Sequence, residues 1–167
     1  LMVSDLLMGA YVVLKHFLTL VWDRLLQIVT APLHNPQMLW ITLPLLITLL
    51  LMEFYFGRYT KEELGWNTAV ANSLVLVFVS LDLLRQIYGV SNPYDLYTTF
   101  DLYHEKTIIA LAVGVSGLLI MNLDFFHILP KKFAFELSSS LPVNFIAYLS
   151  VVAVYTNLTR DWYTLVA

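Results

Sequence analysis

Three sets of side chains in this 167-residue chain have types and spacings that chemistry can use. Asp82 and Arg85 stand three residues apart, and so do Asp124 and His127. On a helix such neighbours share a face and touch. The first pair suits either an internal ion pair or a charged ring in a pore. The second suits a polar knot between helices with Asn67, Asn72 and Asn144, the alternatives being a proton or ion site or an acid and base in an enzyme. Asp101, His104 and Glu105 also sit at helical spacing and could meet a divalent metal. They match no recognised ligand pattern, so a solvated face is the expectation, with no metal and no cofactor. The amides of Asn67, Asn72 and Asn144 are further groups that a membrane interior must satisfy. No GxSxG, HExxH, phosphate-binding glycine loop or CxxC occurs, and cysteine is absent. Nothing sets a base beside a nucleophile, so an enzyme is not expected.

The elements that hold these residues are apolar. Hydrophobic residues make up 59% of the chain and charged ones 13%, with a mean hydropathy of +0.75. A soluble domain carries about 25% charged residues. The imbalance predicts an integral membrane protein, in one unit. The formal charge of −3 is too small to steer a partner, and no basic patch points to nucleic acid. Residues 66–88 organise the reading, being long enough to span about 30 Å of hydrocarbon. At 100° per residue Asn67, Thr68, Ala71, Asn72, Val75, Phe78, Val79, Asp82, Arg85 and Gln86 fall on one stripe. Val70, Leu76, Val77, Leu81 and Leu84 fall opposite, a face expected to meet lipid. A polar stripe in a span must turn toward other helices or a water-filled path.

Residues 3–30 read as an amphipathic helix lying in the interface. Ser4, Asp5, Lys15, His16, Thr19, Asp23 and Gln27 take one side; Leu6, Leu7, Ala10, Val13, Leu14, Phe17, Val21, Leu25 and Ile28 take the other. A fifth crossing with Lys15 near its middle is the alternative, at a cost of a few kcal/mol. Pro32 is expected to end this helix. Residues 37–56 form the first crossing, kinked at Pro44, with Trp40, Tyr55, Phe56 and Tyr59 as interfacial anchors. The short turn after it predicts an antiparallel hairpin with 66–88, and Thr60 to Glu63 match a capping box. Residues 89–106 form an acidic, aromatic loop suited to the membrane surface. The third crossing is expected over 107–129 and the fourth over 143–163, after a connection at 133–140. In the third, Ala110, Gly114 and Gly117 make a groove of small residues where another backbone can come close. The lysine and arginine counts on the two sides nearly balance, so the positive-inside rule does not decide orientation. The side of Lys131 and Lys132 is read as cytoplasmic, because the loop opposite is acidic. Asn157-Leu158-Thr159 matches a glycosylation sequon, though it lies against the membrane.

The run MLWITLPLLITLLLMEFYFGRY with the following KEELGWNTAVANSLVLVFV, roughly the first half of the chain, resembles small uncharacterised archaeal integral membrane proteins. The resemblance implies a cell-membrane location and carries no activity and no functional residue. The expected fold is therefore all-α: a polytopic bundle of four transmembrane helices plus an N-terminal amphipathic interfacial helix. The expected function is a structural or assembly subunit, homo-oligomeric or within a larger membrane complex, whose partners are the lipid bilayer and other membrane chains. The alternative is an oligomeric channel lined by Asn67, Asn72, Asp82 and Arg85. A membrane-embedded enzyme using Asp124 and His127 ranks last.

Overall fold

A computed structural model describes residues 2–61, 65–89, 100–101, 105–156 and 162–166. It is helical and contains no strand among those residues. In chain order the helices are α1 (Met2–His34), a 3-10 turn (Pro36–Met38), α2 (Leu39–Arg58), α3 (Trp66–Tyr88), α4 (Glu105–Phe125), α5 (Lys131–Leu137), α6 (Ser140–Tyr155) and α7 (Trp162–Val166). Among the described residues four stretches are long and apolar enough to cross a membrane: Pro36–Arg58, Trp66–Tyr88, Glu105–Phe125 and Lys131–Tyr155. The last joins α5 and α6 across a break at Ser138 and Ser139. The membrane-like helical bundle expected from composition is thus present.

The centre is α3 packed antiparallel on α4, with α6 against both. Small residues make this possible. Gly114 and Gly117 are buried, and a Cβ on Gly117 would lie 2.8 Å from Leu76 Cβ and 3.0 Å from the Ser73 carbonyl oxygen. A Cβ on Gly114 would lie 2.9 Å from Ser80 Cβ. The groove of Ala110, Gly114 and Gly117 is therefore filled by α3 of the same chain. Leu76, Leu83, Val143 and Val151 are fully buried and fill the space between the helices.

Several expectations are corrected. α2 makes its main helix contact with α6, not with α3, so the short turn does not produce a packed hairpin. Leu76 and Leu84, expected to face lipid, are buried. The neighbour of α3 is a helix of small and apolar residues, so its inner face takes leucines as well as polar groups. The third crossing stops at Phe125 rather than 129, because His127 takes a left-handed backbone (φ 51°). The His127 amide then donates to the Asp124 carbonyl at 3.2 Å and the Ile128 amide to the Leu123 carbonyl at 3.0 Å, the reciprocal pair that closes a helix. The fourth crossing ends at Tyr155 rather than 163, since Thr156 is extended (φ −108°, ψ 162°), and α7 packs on α1 instead. Residues 133–140, expected as a connection, contribute most of α5.

α1 also runs on through Pro32. Proline lacks the amide that would bond the carbonyl four residues back. That carbonyl belongs to Ile28, and the Tyr148 hydroxyl donates to it at 2.8 Å. A side chain from α6 thus replaces the missing bond and the helix continues. The N-cap of α3 is Gly65 with extended backbone; the capping box expected at Thr60 to Glu63 lies partly outside the described residues.

Candidate functional site

Polar side chains gather at both ends of the α3–α4–α6 core. At the end where α4 finishes, Asp124 is fully buried. α4 brings it there in its last turn, α3 supplies Asn72 and Ser73, and the break between α5 and α6 supplies Ser138. Ser138 Oγ donates to Asp124 Oδ2 at 2.5 Å and Ser73 Oγ at 3.2 Å. Ser73 Oγ lies 2.9 Å from the Ala69 carbonyl and 3.3 Å from Ser138 Oγ. Asn72 Nδ2 donates to the Ser138 carbonyl at 2.8 Å, satisfying a backbone group that the helix break frees. Asp124 Oδ1 is buried with no hydrogen-bond partner. Of the ion pairs among the described residues none includes Asp124; they join Asp82 to Arg85 and Lys132 to Glu136.

His127, expected beside Asp124, is exposed and turns elsewhere. Its ring lies 4.2 Å from that of Trp66, and Trp66 meets Phe135 edge-on at 5.0 Å. The left-handed backbone that ends α4 swings His127 away from the face Asp124 occupies. Asn67 is exposed and takes no part. Asn144 is buried but distant in function from this cluster. Its Nδ2 donates to the Ser140 carbonyl at 2.7 Å, and its Oδ1 has no partner. It forms part of the wall of an apolar groove of about 640 Å³ with Val29, Thr42, Leu45, Leu49 and Tyr148.

At the opposite end, Asp82 sits half-buried. Tyr155 Oη donates to its Oδ2 at 3.0 Å, and Arg85 Nη1 is 3.8 Å from its Oδ1. The Arg85 side chain is 72% exposed, so the pair is screened by its surroundings and contributes little. Tyr88 Oη is 2.6 Å from Thr107 Oγ1 and receives the Asp101 amide at 2.8 Å. Lys106 Nζ donates to the Val154 carbonyl at 2.7 Å, capping the last turn of α6. His104 lies outside the described residues, and no metal-ligating cluster of three His, Cys, Asp or Glu occurs among those described. Asn157 lies outside them as well.

Sequence reasoning singled out Asn72, Asp82, Arg85 and Asp124, offered Ser138 only as a helix cap before Pro142, and passed over Ser73, Ser80, Tyr148 and Tyr155. Serine and tyrosine raised no alarm in an apolar run because both are ordinary there. A signal existed at Ser138: a run of three serines ahead of Pro142 marks a helix break inside an apolar segment. No family model, no curated protein and no solved structure matches the chain.

Proposed function

We propose that this chain is a structural or assembly subunit of a membrane complex, a multi-pass protein of the cell membrane that associates with its own copies or with other membrane chains. One observation carries the reading. Along the middle of α3 the polar groups Asn72, Ser73, Ser80 and Asp82 are engaged within the chain, with Asn67 and Arg85 exposed toward its ends, while the outer helices keep wide apolar faces bare. Asn72 bonds Ser138, Ser73 bonds Asp124, Ser80 Oγ donates to the Ala110 carbonyl at 2.7 Å, and Asp82 bonds Tyr155. The exposed side of α3 between Asn67 and Arg85 presents Ala71, Phe78 and Leu81, which suit lipid or a neighbouring helix rather than an ion path.

On α2, Trp40, Leu43, Leu46, Ile47, Leu50 and Phe54 are exposed. On α1 a second apolar stripe, Met8, Tyr11, Leu18, Trp22, Val29 and Leu33, is exposed beside Lys15. The face of α1 expected to meet the membrane turns toward the protein from Phe17 onward, with the Phe17 ring 5.8 Å from Tyr163. The uncovered stripe is the one that rests in the interface in this reading, with α1 lying along the membrane.

The absence of cysteine makes the test direct. Single cysteines at Leu46 and Leu50 should cross-link in native membranes to a second copy or a larger partner, while one at buried Ala110 should not. If every α2 and α1 position stays at the monomer mass of 19.2 kDa, before and after extraction, the subunit reading is lost. Conductance by purified protein in planar bilayers, with cation preference altered by Asp82→Asn, would instead favour the channel.

A further inference from the structure

The cluster around Asp124 has a gap that the chain itself does not fill. Its Oδ2 accepts two serine hydroxyls, whereas its Oδ1 meets nothing, although the residue is fully buried. Neither state of the carboxyl closes the gap from within. Ionised, Oδ1 needs a donor or a cation; protonated on Oδ2, the carboxyl can donate to a serine oxygen but still leaves Oδ1 a buried acceptor without a donor. Buried polar atoms nearly always have partners, and an exception calls for a water or an ion.

We propose that Asp124, Ser73 and Ser138 bind a small monovalent metal cation, of which sodium is the probe of choice. Three features select this class. The ligands are hard oxygens, a carboxylate and two hydroxyls, which suit alkali and alkaline-earth ions rather than soft metals. A single carboxylate supplies a single negative charge, with no second acidic or imidazole group completing a cluster among the described residues. A divalent ion would leave net positive charge in a buried place, at high cost. The two serine hydroxyls lie 2.5 and 3.2 Å from Oδ2 as hydrogen-bond donors and 3.3 Å from each other, close enough to turn a lone pair toward a small ion held at Oδ1.

The setting agrees. Ser138 sits at the break between α5 and α6, inside a stretch otherwise apolar enough to cross the membrane. Discontinuous membrane helices are where freed backbone and side-chain oxygens gather around coupling ions. Asp124 is one residue from the end of α4, so an ion can arrive from that side without crossing the bilayer. The proposal is independent of the subunit reading, since a lone chain holds all three ligands.

The test uses the full chain purified in mild detergent and radioactive sodium in a scintillation proximity assay. Saturable binding is expected, displaced by unlabelled sodium chloride and not by choline chloride. Asp124→Asn should lower affinity at least tenfold and Ser138→Ala several-fold. Glu136→Gln, an exposed carboxylate at the same end, should leave it unchanged. Sodium should also raise the melting temperature of the wild type and not that of Asp124→Asn. No saturable binding by the wild type, or equal binding by Asp124→Asn, overturns the proposal and leaves a structural contact only. If Asp124→Asn fails to fold, Ser138→Ala and Ser73→Ala decide, and wild-type affinity in both overturns it.

Discussion

α3 and α2 are both apolar helices long enough to cross a membrane, yet the chain uses them in opposite ways. In the most apolar 18-residue stretch of α3, 39% of positions are buried; in that of Pro36–Arg58 the share is 6%. α3 alternates small or polar residues with leucine and valine, and the small ones on its inner side are buried: Ala69, Ser73 against Asp124 and Ser138, and Ser80 against α4. α2 is leucine-rich with few small residues, and it packs mainly on α6, leaving most of its surface bare. In a membrane, lipid tails solvate leucine as well as another helix does, and close packing and hydrogen bonds supply the association energy. Hydropathy passes both helices as long and apolar enough to span; the distribution of small residues separates them.

The sharpest way to break this contrast is to fill the groove. Gly117→Leu should cost about 3 kcal/mol or more, because its Cβ meets Leu76 Cβ and the backbone of Ser73 and Val77, none of which can rotate away. Loss of the monomeric folded species in detergent, read by thermal unfolding, is the expected result; a variant melting as the wild type would mean α3 and α4 are not so close. A milder version compares two leucines. Leu83→Ala, fully buried, should destabilise by about 2 to 3 kcal/mol through the cavity it leaves. Leu46→Ala, half exposed on α2, should change stability by less than about 0.5 kcal/mol in the same assay. Equal effects would erase the distinction between the helices.

The same contrast explains what could be read in advance. α3 was legible to the residue over 66–88, since Gly65 and Gly89 bracket it and Gly89 adopts the left-handed backbone of a helix stop (φ 61°). The four apolar stretches were legible because their composition admits no other reading. The rotation of α3 was not, because a wheel ranks polarity, while burial in a bilayer follows shape as much as polarity. The end of α4 was not, because a histidine holds a position that glycine usually marks. The continuation of α1 was not, because Pro32 reads as a stop unless Tyr148, 116 positions later, is known to stand beside Ile28. At the Asp124 site the carboxylate and Asn72 were visible, and the two serines that bond it were hidden among residues that serve elsewhere as caps.

That long-range replacement gives a smaller prediction. Tyr148→Phe removes the donor to the Ile28 carbonyl and leaves it unsatisfied next to Pro32. The expected cost is about 1 kcal/mol, near the upper part of the range for interhelical bonds in membranes. It should appear locally, as faster amide exchange over the last turns of α1, with α3 and α4 unchanged. Uniform exchange across the protein would instead mean that α1 is tied to the bundle by more than this contact.

The smallest effect tests how α4 ends. His127 holds a left-handed backbone that glycine adopts without strain, so glycine should gain about 1 kcal/mol on backbone grounds. Replacing it also removes the ring that lies tilted 4.2 Å from Trp66, a contact of comparable size. His127→Gly alone should therefore change stability by less than about 0.5 kcal/mol. In a Trp66→Leu background the ring contact is already gone, and the same change should stabilise by about 1 kcal/mol. A double-mutant cycle in detergent measures the difference. If the two backgrounds respond alike, the ring contact does not offset the strain, and the histidine is held at this position by something other than Trp66.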